Sequence, residues 1–340
     1  MNGSVSSITG APSSSDGRLS RYEQRVRALV SFSPLRSLWN LQDVPIWVVA
    51  VRTWKSMIAD RLFGHAAELG FYFLFALFPT LLSASSILGL AARSAYQIYD
   101  RLLDYLAILI PTAALGAVLK TFNETTIAAT SGKITFGLIA AIWSASVGIS
   151  AIQDTLNVVY KVKNTRSFIK ARIYAIGLTI LLTIIVTLGL ACLLSGDVVA
   201  ALAHRFIPFH LVAIAGATAA RLIAWTIATA LLALSFAVIY YWAPDVRNRR
   251  WHWLTPGCTI GILGWLIASL GLRVYIHFFN NFSITYGSLG AVIILLTWFY
   301  ITGLMLLLGA EINSEIEAAA AEKRIASLQI PSVTLQTREE

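Results

Sequence analysis

Residues 173–195 read IYAIGLTILLTIIVTLGLACLLS, a run without one charged side chain. A helix that crosses the roughly 30 Å hydrocarbon core of a bilayer needs about 20 mostly apolar residues, so this stretch has the length and chemistry of a membrane span. Five further runs pass the same test, at 69–92, 134–153, 222–242, 256–279 and 288–310. The period-two alternation of a membrane β-barrel is missing. Composition agrees: 57% of residues are hydrophobic and 13% charged, with a mean hydropathy of +0.71, far from the averages of soluble domains. The fold class is therefore all-α, a polytopic membrane protein built as a six-transmembrane-helix bundle.

Orientation follows from the basic residues, which collect on cytoplasmic flanks. Arg18, Arg21, Arg25, Arg27, Arg36, Arg52, Lys55 and Arg61 precede the first run. Lys161, Lys163, Arg166, Lys170 and Arg172 lie between the second and third, Arg247, Arg249 and Arg250 between the fourth and fifth, and Lys323, Arg324 and Arg338 after the sixth. These are 19 of the 26 Lys and Arg, and they put both termini in the cytoplasm. The pI near 9.7 thus reflects topology, and lipid headgroups rather than nucleic acid are the expected counter-charge.

The chain divides into a basic, Ser- and Gly-rich tail at 1–36, expected to be disordered, a membrane domain at 37–317 and a cytoplasmic tail at 318–340. Within the membrane domain, 45–63 (PIWVVAVRTWKSMIADRLF) mixes Trp47 and Trp54 with Arg52, Lys55 and Arg61, the pattern of an N-terminal interfacial helix. Segment 98–119 is short of a full span and contains Pro111, so it is expected to be re-entrant or interfacial on the outer side. Cys192 and Cys258 both fall inside spans and read as buried thiols.

Two groups of polar residues stand out against this apolar background. Ser269, Arg273 and His277 recur every four residues and share one helix face; Arg273 lies 17 residues after Pro256, about 26 Å along the helix, near the outer boundary. It either snorkels to the headgroups or, with Tyr286 in the turn that follows, lines an outward-facing site for a polar or anionic solute. At the opposite boundary Glu68 opens the first span, Asp154 closes the second and Glu311 closes the sixth. If these helices are neighbours, the carboxylates face the bundle, paired with Arg172 or Asn157, and bind a cation, relay protons or lock the inner gate; otherwise they touch water. Pro79 sits mid-span and removes a backbone hydrogen bond there, kinking the helix or freeing a carbonyl. Ala141, Ser144, Ala145, Gly148 and Ala151, and likewise Gly257, Gly261, Gly264, Ala268 and Gly271, read as small-residue packing ridges. Trp143, Trp265 and Trp298 near mid-span fit interior packing or an aromatic-lined cavity.

The motifs AAELGFYFLFALFP at 66–79, IWSASVGISAIQDTLNVVY at 142–160, YYWAP at 240–244 with Trp251 and Gly257, the pair Tyr286 and Gly287, and GAE at 309–311 together resemble the YihY/BrkB family of bacterial inner-membrane proteins over about residues 40–317. The resemblance implies six spans with both termini cytoplasmic, matching the orientation reached from charge. Some members are linked to virulence and serum resistance, transport has been proposed, and an older ribonuclease label is regarded as a misassignment. Gly70-Phe71-Tyr72 departs from the family's Ala-Tyr-Tyr-like run.

Chemistry in the sequence points away from an enzyme. His65, His204, His210, His252 and His277 form no metal-ligating cluster of the kind a metal-dependent nuclease needs, and no P-loop is present, so no metal and no cofactor are expected. The expected function is a transporter or channel-like protein for an unidentified solute or ion. The alternative is a structural, envelope-maintenance protein acting through membrane lipids or protein contacts, including a second copy of itself.

Overall fold

The computed structural model describes residues 45–91, 131–162, 165–206, 209–246, 251, 253–278 and 288–328. Among them are seven α-helices and no strand: α1 Ile46–Ala59, α2 Leu62–Ala91, α3 Ser131–Val159, α4 Phe168–Phe206, α5 His210–Trp242, α6 Pro256–Phe278 and α7 Ser288–Leu328. Five of these, α3 to α7, are long and apolar enough to cross a membrane, and α2 adds a shorter apolar stretch over Leu62–Leu77. The fold is thus a helical membrane bundle. The segment 98–119 and the tail 1–36 lie outside the described residues. Helix α2 runs through Pro79 as one element.

Close contacts fix the helix directions. Asp60 meets Lys161 while Gly148 faces Phe73, so α2 and α3 are antiparallel. Gly189 against Leu231 and Gly196 against Ala224 do the same for α4 and α5, and Gly257 against Gly309 and Gly261 against Met305 for α6 and α7. The described residues at 60–61, 160–162, 165–167, 243–246 and 253–255 therefore gather at one end of the bundle, called here the basic end because Arg61, Lys161, Arg166 and Lys170 lie there.

Helix α7 is the hub, packing on α1, α2, α3 and α6. Its approach to α2 depends on Gly70, where an added Cβ would meet the backbone of Tyr300 at 3.1 Å. One continuous core joins the helices at the basic end through Leu62, Leu69, Leu156, Val159, Ile185, Phe236, Ile262 and Leu307. The outward faces stay apolar: Ile267, Leu270, Ile184, Val186, Leu222 and Ile223 are exposed. In water such faces would drive aggregation; in lipid they are solvated, and close packing of small residues holds the helices together.

Helix α7 continues well past 310, through Leu328. This extension pairs with α1: Val49 packs with Ile312, Ile316 and Ala320, Ser56 Oγ donates to Glu315 Oε1 at 2.7 Å, and Arg52 Nη1 meets Glu322 Oε2 at 2.9 Å. The other face of α1 presents Ile46, Trp47, Trp54 and Ile58, as an interfacial helix requires. Helix α3 ends where Lys161 takes a left-handed φ of 54° and the Val162 N–H bonds back to the Asn157 carbonyl at 2.9 Å, satisfying an orphaned helix carbonyl.

Candidate functional site

Of the three carboxylates expected at the inner boundary, one is inside the bundle. Glu311 is fully buried, whereas Glu68 is exposed and sits 3.4 Å from His65 Nδ1, and Asp154 is exposed. Helical spacing puts Glu311 on the face of α7 that carries Leu307, Ser314 and Glu315. On that face Ser314 Oγ donates to the Val159 carbonyl at 3.0 Å and Glu315 accepts from Ser56, so Glu311 points toward the meeting of α1, α2 and α3.

The other face of α7 is tied to α5 and α6. Tyr240 Oη donates to the Leu306 carbonyl at 2.8 Å, the Gly257 N–H donates to Asn313 Oδ1 at 3.0 Å, and Asn313 Nδ2 donates to Thr255 Oγ1 at 2.9 Å. Thr255 Oγ1 in turn caps the start of α6 by accepting the Cys258 N–H at 3.0 Å. Asn313 is itself fully buried, and its bonds satisfy a helix terminus that lipid cannot.

Helix α3 contributes a polar stripe of which sequence reasoning singled out only Asn157. Ser146, Ser150, Gln153 and Asn157 recur at intervals of four, three and four, and so share one face; Ser146, Gln153 and Asn157 are buried. The Gln153 Nε2 is buried without a hydrogen-bond partner among the described residues. Facing the stripe, Arg172 of α4 donates to Ser150 Oγ at 3.4 Å and to the Trp143 carbonyl at 3.3 Å. Its guanidinium also lies 4.2 Å from the Trp143 ring centroid. Arg172 is thus held by a hydroxyl, a carbonyl and an indole, not by the carboxylate expected for it. Trp143, expected in the interior, is 59% exposed and forms the outer wall of this contact.

Asn157 closes the stripe at the basic end. Its Oδ1 accepts the Asp245 N–H at 2.7 Å. The Asp245 carboxylate accepts from the Thr165 N–H at 2.8 Å and the Thr165 hydroxyl at 2.5 Å, and Arg166 Nε approaches at 3.2 Å. Burial alone pushes this carboxyl up, but the Thr165 hydrogen bonds and the Arg166 guanidinium outweigh it and hold the group below its ordinary value. A carboxyl with a lowered folded-state value stabilises the fold above the unfolded value of about 3.9. That contribution is lost as pH falls through the folded value. Asp245→Asn is therefore expected to destabilise the detergent-solubilised protein by about 1–2 kcal/mol at pH 7. The difference from wild type should shrink as pH falls below the unfolded value of about 3.9, and melting curves across pH check this; a constant difference at all pH values would contradict it.

At the opposite end Arg273 is half-buried and His277 exposed, while Tyr286 lies outside the described residues. Ser269 Oγ is buried with no hydrogen-bond partner among the described residues, as is Trp298 Nε1. Trp265, one turn before Ser269, is buried, with its Nε1 donating to Thr302 Oγ1 at 3.0 Å and its ring 6.2 Å from that of Trp298. The structure thus places two of the three mid-span tryptophans in the α6–α7 interface. The described residues hold no group of three or more His, Cys, Asp or Glu placed to share a metal ion.

Comparison with known proteins places this architecture. The ribonuclease-like protein YfkH of Bacillus subtilis is 32% identical over 251 residues, 74% of this chain and 88% of that protein. The UPF0761 membrane protein Smlt0865 of Stenotrophomonas maltophilia is 26% identical over 273 residues, and a UPF0761 membrane protein of Xanthomonas oryzae is 29% identical over 267. The matches cover 78% of this chain but only 60% of each UPF0761 relative. No solved structure matches. The family model described as Virulence factor BrkB matches residues 53–329, a range that takes in the α2–α3 pair, the polar stripe and Glu311, and the chain belongs to this family of membrane proteins.

Proposed function

We propose that this chain is a transporter or channel-like protein of the bacterial inner membrane, with both termini cytoplasmic, in which Glu311 couples solute movement to a proton or cation. The observation that carries the reading is the complete burial of Glu311 within a membrane-spanning bundle. An ionisable group at such a site is expensive to keep and marks an ion or proton path. Its charged and neutral forms differ by several kcal/mol in what burial costs. A change of charge therefore shifts the packing of α7 against α1, α2 and α3. The stripe of Ser146, Ser150, Gln153 and Asn157 supplies a polar wall beside α4, and Arg172 sets a fixed positive charge on it. A wall of this kind suits a hydrophilic or anionic solute.

The test is reconstitution into liposomes with an entrapped pH indicator, a solute panel and an imposed pH gradient; a protein that moves neither protons nor solute would overturn the reading. The exposed face of α1, with Trp47 and Trp54 outward, favours the second reading, an envelope-maintenance protein that acts through lipid or protein contacts, and such a protein gives no flux in this assay. The word ribonuclease belongs to the Bacillus relative, and no hydrolytic step forms part of the proposal. For orientation, a reporter fused after Thr165 is expected to read cytoplasm and one fused after Phe209 the outer side; the reverse pattern would invert the map.

A further inference from the structure

A second feature lies on the opposite face of α4 from Arg172. Between α4 and the end of α5 an open cleft of about 250 Å³ is lined by Ile173, Tyr174, Gly177, Leu178, Leu181 and Trp242. Its floor is apolar, with Leu178 buried, and it stays open over Gly177, where an added Cβ would meet nothing within 4 Å. Lys170 is exposed and stands one helical turn before Tyr174, on the same face. The mouth is rigidly built: the Arg166 guanidinium lies 4.6 Å from the Tyr174 ring centroid. Arg166 is anchored to Asp245 and to the Ala243 and Pro244 carbonyls at 3.3 Å each. Arg166 and Asp245 offset each other's charge, which leaves Lys170 as the net cation beside the mouth among the described residues.

We propose that this cleft binds one anionic phospholipid of the membrane, with the phosphate against Lys170 and an acyl chain lying over Gly177 beside Trp242. From Lys170 to Leu181 the face runs about 16 Å, close to half of a hydrocarbon core about 30 Å thick, so the cation and the cleft beyond it together match the depth of one leaflet. Cation, aromatic ring and apolar groove follow one another in the order in which a phospholipid presents its phosphate, glycerol region and chain. The site does not depend on transport, and its test reads binding alone.

The full chain, purified in mild detergent and exchanged with vesicles of equal phosphatidylglycerol and phosphatidylcholine, is examined by native mass spectrometry. Wild type is expected to retain one phosphatidylglycerol under activation that strips phosphatidylcholine. Gly177→Leu projects a side chain into the open space, where a Cβ meets nothing within 4 Å, and should lower that retention at least about tenfold with no fall in melting temperature. Lys170→Glu, at an exposed position, should abolish the preference for phosphatidylglycerol. The proposal is overturned if a stably folded Gly177→Leu retains the lipid as wild type does, or if wild type or Lys170→Glu shows the opposite headgroup result. It is also overturned if wild type is a dimer that Gly177→Leu splits, which would make a second copy the occupant.

Discussion

Glu311→Gln is expected to abolish proton-coupled flux, lowering it about a hundredfold or to background, while the protein inserts, accumulates and melts like wild type or slightly higher. The substitution keeps the shape and the hydrogen-bonding length of the side chain and removes only its ability to change charge. A fully buried position tolerates a neutral amide at least as well as a carboxylate, because the amide never bears the several kcal/mol that desolvating a charge costs. Stability and activity should therefore separate, and that separation distinguishes a working carboxylate from a structural one. If Glu311 served only to lock α7 against α3 and α1, Gln would preserve the lock and the flux with it. Flux at the wild-type rate in Glu311→Gln liposomes would sink the coupling role; loss of flux together with loss of folded protein would assign Glu311 to the fold.

What the sequence makes visible here is the part that lipid solvates. The runs at 173–195 and 222–242 lie inside α4 and α5, and α6 takes up residues 256–278 of the run at 256–279, because uninterrupted apolar surface is what an exposed membrane face requires. The run at 288–310 stops where α7 does not. The helix continues through EINSEIEAAAAEK, where Ala319, Ala320 and Ala321 are buried and Glu315 and Glu322 meet α1. That pairing follows helical periodicity rather than apolar length, so a search for apolar runs passes over it. Glu311 was legible because it follows LMLLLGA abruptly. Glu68 precedes an equally abrupt apolar run and Asp154 closes the second run, but both lie on exposed helix faces, and which face meets a neighbour is a tertiary property. The α3 stripe was hidden for a different reason: serine counts as a small packing residue in a membrane helix, so Ser146 and Ser150 merged into the ridge of Ala141, Ser144 and Ala145. The spacing that links them to Gln153 and Asn157 was the available signal. Arg172 was named as a partner for a carboxylate, but its packing against the exposed Trp143 depends on how far α4 slides along α3, which no local pattern reports.

The largest loss of stability is expected from Gly257→Val. Helices α6 and α7 touch backbone to backbone here: a Cβ on Gly257 would overlap the Gly309 carbonyl and the Asn313 amide, and a Cβ on Gly309 would overlap the Gly257 carbonyl and the Tyr240 hydroxyl. No rotamer change relieves a clash with backbone, so the helices must move apart. Overpacking alone costs about 1–3 kcal/mol. Separation also strains the buried bonds from Gly257 N–H to Asn313 and from Tyr240 to the Leu306 carbonyl, each of which costs about 1–3 kcal/mol when a partner is left unsatisfied. The sum is about 3 kcal/mol or more, read in detergent as a melting temperature about 5–10 °C lower with reduced accumulation in the membrane. Gly271→Val on the same helix is the control, since a Cβ there meets nothing within 4 Å, and its melting temperature should match wild type. Because Gly257 and Gly309 share one contact, Gly257→Ala and Gly309→Ala together should cost less than the two separately: once the helices have parted for the first methyl, the second finds room. Wild-type melting of Gly257→Val, or strict additivity of the paired alanines, would show that the α6–α7 crossing is looser than this geometry requires.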